Sequence, residues 1–196
     1  MTLFAEGDDD TPLTPDEEAE LIPNLATRDE LNEWERLNIL EAYSWALDRK
    51  RLRRLDPLTE PYVRDLHRRM FDQTWKWAGR YRSTERNLGI ASHLIRDALA
   101  GLLGDVRYWV EHGTYAPDEI AVRLHHRMVF IHPFANGNGR HARLMADVLV
   151  QRLGRLVFSW GSAELVRADD FRARYIEALR AADGSDIQPL LRFSRS

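Results

Sequence analysis

Apolar residues recur at helical spacing along most of the chain, and the stretches where that spacing lapses divide it. Leu31, Trp34, Ile39, Ala42, Trp45 and Ala46 supply one face of a helix expected from Thr27 to about Asp48. Its start, Thr27-Arg28-Asp29-Glu30, has the form of a capping box with Glu30 reaching back from the first turn. Tyr62, Leu66, Met70 and Phe71 mark a second helix; Leu99, Leu102, Leu103, Val106 and Trp109 mark a third, from Arg96 to Trp109. Pro117 opens a fourth, with Ile120, Leu124, Met128 and Ile131 on one face and an end near His132. Ala142, Met145, Ala146, Leu149, Val150 and Leu153 define the next, with Gly154 as its stop, and helices over Ala168–Ala182 and Ile187–Phe193 close the chain. Residues 83–94 lack the helical period and carry Gly89 between short apolar residues, which predicts a small β-hairpin or flap. Arg155 to Trp160 form a short apolar stretch, either strand-like or a buried turn. No internal repeat, heptad run or low-complexity segment interrupts this order. The predicted fold class is all-α: a helical bundle carrying one small hairpin.

Composition narrows the chemistry. The 196 residues are 44% hydrophobic and 30% charged, ordinary for a globular protein, and suit one domain with an extension. There is no cysteine, which excludes disulfides and thiolate catalysis, so any metal is held by oxygen or nitrogen. The net charge of −3 is uneven: eight acids and no Lys or Arg fall within residues 1–20, leaving the remainder at about +5. That balance suits nucleotide phosphates and is too weak for duplex nucleic acid. The basic run Arg49 to Arg54 reads as a favourable charge at a helix end and a solvated linker. Three parts are expected: an acidic extended arm at 1–26, a helix with its linker at 27–54, and the main domain at 55–196. With no long apolar run and no charged leader before an apolar core, a cytoplasmic protein without membrane contact is expected.

The candidate chemistry lies between the fourth and fifth major helices, in Ile131-His132-Pro133-Phe134-Ala135-Asn136-Gly137-Asn138-Gly139-Arg140-His141-Ala142-Arg143. A glycine loop that feeds a helix N-terminus presents free backbone N–H groups and a positive dipole end to an anion. Gly137 and Gly139 permit positive φ and close backbone approach to a ligand. Arg140 and Arg143 share one helix face and fit phosphate oxygens bidentately. His132 is the side chain suited to proton transfer near neutral pH. Spacing alone is equally compatible with a glycine-rich turn between helices and two surface arginines. His125 and His126, being adjacent, face different directions and read as packing or surface residues.

The stretch resembles the Fic/Doc family signature, His-Pro-Phe-x-(Asp/Glu)-Gly-Asn-Gly-Arg-x-x-Arg. His132, Pro133, Phe134, Gly137, Asn138, Gly139, Arg140 and Arg143 match it, and the surrounding wording is most similar to the group called mobile mystery protein B. The resemblance spans roughly residues 55–195 and implies a Fic-type bundle that transfers AMP from ATP to a Ser, Thr or Tyr hydroxyl of a protein. It implies His132 as base, the Gly137–Gly139 loop as phosphate cradle with a side-chain contact from Asn138, and Arg140 and Arg143 as phosphate ligands. Phe134 would anchor the loop in the core. It also implies a flap over residues 83–94, after the Trp77-Ala78-Gly79 run, on which the target protein docks by strand addition. Asn136 departs from the pattern: the family places there a carboxylate that holds Mg²⁺, and Asn is a weaker ligand for a hard cation. The alternatives are a Doc-like phosphotransferase and a degenerate nucleotide-binding module. Many relatives also carry a (Ser/Thr)-x-x-x-Glu-(Gly/Asn) motif whose Glu pairs with the second signature Arg, here Arg143. No clean match is present; Glu30 and Glu33 are the candidates for such restraint, with an antitoxin-like partner as the other source.

Overall fold

A computed structural model describes residues 13–161 and 168–196. In chain order the helices are α1 (Pro15–Glu18), α2 (Arg28–Ala46), α3 (Arg49–Leu52), α4 (Glu60–Phe71), α5 (Ile95–His112), α6 (Pro117–Ile131), α7 (Asn138–Arg152), α8 (Ala168–Asp183) and α9 (Gln188–Arg195). Among the described residues there is no sheet; two isolated antiparallel bridges join Leu21 to Trp75 and Tyr81 to Phe134. The first ten of the expected acidic arm's residues, with Glu6, Asp8, Asp9 and Asp10, lie outside the described residues, and so do the two that follow them.

Local chemistry sets the ends. Thr27 caps α2 through the expected box: its hydroxyl accepts from the Glu30 N–H at 3.2 Å, and the Glu30 carboxylate accepts from the Thr27 N–H at 3.1 Å. Thr59 caps α4, and Pro117 opens α6. After α7, Gly154 turns at φ +82° and the Arg155 N–H returns to the Val150 carbonyl at 3.0 Å, a glycine-based helix stop.

α7 runs through the middle of the bundle, packed most extensively against α6, with α4 and α2 on another side. Leu144, Met145, Ala146, Val148 and Val150 of α7 are fully buried, as are Val63, Leu66, Met70 and Phe71 of α4. The α2 stripe is Leu31, Glu35, Asn38, Ala42 and Ala46, so Trp34, expected on it, lies at the surface and donates its indole N–H to the Gln73 carbonyl at 3.0 Å. Residues 155–159 are neither helix nor strand; they are tied to α7 where the Phe158 N–H and the Trp160 indole bond the buried Asp147.

The expected hairpin over 83–94 is corrected to an irregular loop ending in one 3₁₀ turn, Ser92–Leu94. The physical reason is Arg82. Its guanidinium takes the Thr84 and Ile90 carbonyls, and the Ser92 N–H goes to the Glu85 carboxylate, so side chains satisfy groups that a hairpin pairs across a ladder.

Candidate active site

α6 ends because Pro133 cannot continue it, and His132 turns left-handed at φ +54°, its N–H still bonded to the Met128 carbonyl at 3.1 Å. Phe134 then drops into the core with no exposure, stacked on His67 at 3.7 Å between ring centroids. Gly137 stands at φ +76°, where a Cβ would lie 2.4 Å from the Phe71 ring. α7 begins immediately after it, at Asn138, four residues earlier than the apolar spacing places it.

The Asn138 amide spans its own loop. Its Oδ1 accepts from the Phe134 N–H and its Nδ2 donates to the Phe134 carbonyl, both at 2.9 Å. The side chain therefore braces the loop, while the backbone N–H of Asn138 lies in the first turn of α7. α7 has no side-chain cap and no acid in its first turn. His67, unnoticed in the sequence, fixes the loop from below: its Nδ1 accepts the Gly79 N–H at 3.0 Å and its Nε2 donates to the Asn136 carbonyl at 3.1 Å. That pair of bonds sets the tautomer.

The two arginines differ. Arg140 donates to a Glu35 carboxylate oxygen at 2.6 Å and lies over the Phe71 ring. Glu35 is 7% exposed and its other oxygen accepts the Trp75 indole N–H at 2.7 Å. Arg143 lies over the Tyr175 ring, and among the described residues no carboxylate pairs with it. Tyr175 is held by His125, whose Nε2 is 3.0 Å from the phenol oxygen. Neither expected acid reaches a signature arginine: Glu30 serves the α2 cap, and Glu33 pairs with Arg36 at the surface. The acid that does so is Glu35. Its signal was available, because 31, 35, 38, 42 and 46 share one helix face, and a carboxylate on that stripe needs a buried partner.

His132 is buried, and its side chain is held below the usual histidine range, at about 4. Burial is the main cause, followed by the positive charge of Arg82; a bond to the Val129 backbone works the other way, and Arg86 adds a smaller depression. The imidazole is neutral at physiological pH, the state a base requires. The Asn136 Oδ1 accepts from the Gly137 N–H at 2.5 Å, and among the described residues no group of three or more His, Asp or Glu is placed to hold a metal. These residues do not fit a protein-held Mg²⁺.

A bundle that brings a histidine, a Gly-Asn-Gly turn and two arginines to one uncapped helix N-terminus is a Fic-type arrangement. The Fic/DOC family model matches residues 57–150, and the chain carries a Fic/DOC family domain there. Protein adenylyltransferase Fic of Nematostella vectensis is 30% identical over 148 residues, 72% of this chain and 33% of that protein. Protein adenylyltransferase fic-1 of Caenorhabditis elegans is 28% identical over 142 residues, 70% of this chain and 27% of that protein. The chain thus spans a third or less of these curated relatives. Among solved structures, a Fic domain containing signaling protein from Bacteroides thetaiotaomicron aligns with a TM-score of 0.63 at 24% identity, covering 89% of this chain and 71% of that one. BepC from Bartonella tribocorum, with bound AMPPNP, aligns with a TM-score of 0.65 at 18% identity, covering 92% of this chain and 96% of that one. These likenesses show the fold.

Proposed function

We propose that the chain is a protein adenylyltransferase that moves AMP from ATP to a Ser, Thr or Tyr hydroxyl of a target protein. The observation that carries this reading is the meeting of a neutral, buried His132 with the uncapped start of α7 across a loop braced by Asn138. The hydroxyl oxygen attacks the α-phosphorus as the bond to pyrophosphate breaks, and His132 takes the hydroxyl proton. Phosphate oxygens bind the N–H groups of the first turn of α7, from Asn138, Gly139 and Arg140. The Arg143 guanidinium, uncommitted to a carboxylate among the described residues, takes the terminal phosphates, and Arg140 lends its remaining donors. An imidazole with so low a pKa is a weak base, and the negative charge of bound ATP raises it. Any Mg²⁺ would be held by the nucleotide's own phosphates, and no step above depends on Asn136 as its ligand. The curated relatives named protein adenylyltransferase support this activity, and the wording around the signature supports placement in the mobile mystery protein B group; the cytoplasm is the proposed compartment.

The target docks along residues 83–94. Gly89 of that loop lies against His132, close enough that a Cβ would be 2.5 Å from the histidine Cβ. Restraint by an acid belongs to Glu35 on Arg140, in place of Glu30 or Glu33; an antitoxin-like partner would be needed only if Glu35 exerts none.

Incubation with α-labelled and, separately, γ-labelled ATP in cell lysate tests the reading. Adenylyl transfer puts only the α label into protein, and His132→Ala abolishes it while nucleotide affinity persists. Entry of the γ label alone would instead establish a Doc-like phosphotransferase, and entry of neither a nucleotide-binding module.

A further inference from the structure

Arg82 touches the site without a part in the chemistry above. It is 4% exposed, and its Nε donates to the His132 carbonyl at 2.7 Å. Its Nη1 donates to the Thr84 carbonyl at 3.0 Å and its Nη2 to the Ile90 carbonyl. Its own backbone N–H donates to the Pro133 carbonyl at 3.0 Å. One residue therefore joins the start of the signature loop to both ends of the 84–90 segment. Gly89, inside that segment at φ +94°, shows how close the join is. A Cβ there would lie 2.5 Å from the His132 Cβ, 2.9 Å from the Arg82 Nη2 and 3.1 Å from the Ile131 carbonyl.

We propose that Arg82 is a positioning residue: it holds the docking loop in register with His132, so that a hydroxyl presented by that loop meets the imidazole. The inference rests on the adenylyltransferase reading for its consequence and on geometry for its substance. Three carbonyls from separate places converge on one planar fork of five N–H groups, which the three tetrahedral donors of Lys do not reproduce. Burying a guanidinium is costly, and among the described residues no carboxylate comes within ion-pair distance of this one; Glu85, at the surface, is the acid that acts on it electrostatically. A tie needed only for packing could be made by neutral groups. A cation here also acts on the base, because its charge opposes protonation of His132, together with Arg86.

The test uses the full chain with Arg82→Lys, which keeps the charge and loses the fork, and Arg82→Met, which keeps the length and loses the charge. Three measurements separate positioning from mere support. Hydrogen exchange of amides 83–91 reads the register, NMR titration of the His132 ring (assigned by its loss in His132→Ala) reads the charge, and AMP-PNP affinity reads the nucleotide cradle. In both variants AMP-PNP binding should stay within about threefold of wild type, since Arg82 donates nothing to the cradle. Loop exchange should speed by about tenfold or more in both. The His132 pKa should rise by about one pH unit in Arg82→Met and stay low in Arg82→Lys. Labelling from α-labelled ATP should fall by about tenfold or more, in kcat with KM for ATP unchanged. Wild-type loop exchange in Arg82→Lys would overturn the proposal, as would full labelling by either folded variant, or loss of AMP-PNP binding in both. If wild type itself transfers no label, the adenylyltransferase reading fails, and exchange with the ring titration still decides whether Arg82 ties the loop to His132.

Discussion

Gly137 and Gly139 sit two residues apart in the same motif, and the structure assigns them opposite sensitivities. Gly137 has φ +76°, and a methyl there would lie 2.4 and 2.6 Å from two Phe71 ring atoms. Phe71 cannot retreat: it is fully buried, 4.8 Å from the His67 ring, with the Arg140 guanidinium 5.0 Å away over its face. Left-handed backbone costs a non-glycine residue roughly 1–2 kcal/mol. Overpacking a closed core costs about 1–3 kcal/mol more, so Gly137→Ala should lose about 2–5 kcal/mol. A displaced Phe71 also shifts Arg140, and AMP-PNP affinity should fall by about tenfold. Gly139 has no positive φ, and the nearest atom to its added methyl is the Tyr175 hydroxyl at 3.6 Å. Inside a helix, Gly139→Ala should gain up to about 1 kcal/mol, yet place a methyl where phosphate approaches and weaken AMP-PNP binding. Urea unfolding and calorimetric titration with AMP-PNP read the two effects separately. Phe71→Leu combined with Gly137→Ala should recover part of the loss, a positive coupling. Equal destabilisation by the two glycine variants, or a neutral Gly137→Ala, would refute the reasoning.

Three further outcomes follow from the site. Replacing Glu35 by Gln should cost about 1–3 kcal/mol of stability, because a buried charge pair is broken, while AMP-PNP binding tightens as a negative charge leaves the cradle; calorimetry showing weaker binding would remove Glu35 as a restraint. Acid should destabilise the fold: burial holds His67, His125, His132 and His141 below the usual histidine value, so below about pH 6.5 the unfolded chain takes up protons at these four residues more readily than the folded chain. Asp147, raised to about 7 mainly by burial, opposes this with one proton kept by the folded state, so the histidines outweigh it and stability should fall as pH drops; a flat urea midpoint between pH 6.5 and 5 would contradict it. Finally, Asn136→Asp supplies an anionic oxygen at the mouth of the cradle and should steepen the Mg²⁺ dependence of labelling, unless titration shows the two proteins alike.

The helices were legible because their apolar stripes are long and regular, from Ile120–Ile131 on α6 to Ala142–Val150 on α7. The start of α7 was not, because Asn138 and Gly139 have poor intrinsic helix preference and the bond that admits them, Asn138 to Phe134, joins a side chain to backbone four residues away. The same limit hid Arg82: spacing shows that residues 83–94 lack a helix, but not that one guanidinium replaces their ladder. Among Glu30, Glu33 and Glu35, motif matching favoured the first two, whereas face arithmetic singles out the third. His67 gave a comparable sign, since it shares the α4 face of Val63 and Phe71 and a buried imidazole there must be bonded. Placement of His132, Gly137, Arg140 and Arg143 around one helix start came from the motif itself.

The brace made by Asn138 bears on how the protein ages. Asn-Gly pairs deamidate readily, because a glycine offers no side chain to shield the backbone nitrogen that closes the succinimide ring, and this loop holds two such pairs, Asn136-Gly137 and Asn138-Gly139. Both ends of the Asn138 amide are occupied by Phe134, and the nitrogen that would attack it is fixed in the first turn of α7. Asn136 is only half-buried and its amide lies beside the Gly137 nitrogen. In stored protein, peptide mapping should find aspartate and isoaspartate accumulating at 136 well before 138. The residue at the mouth of the cradle would change its chemistry while the one that shapes the loop endured.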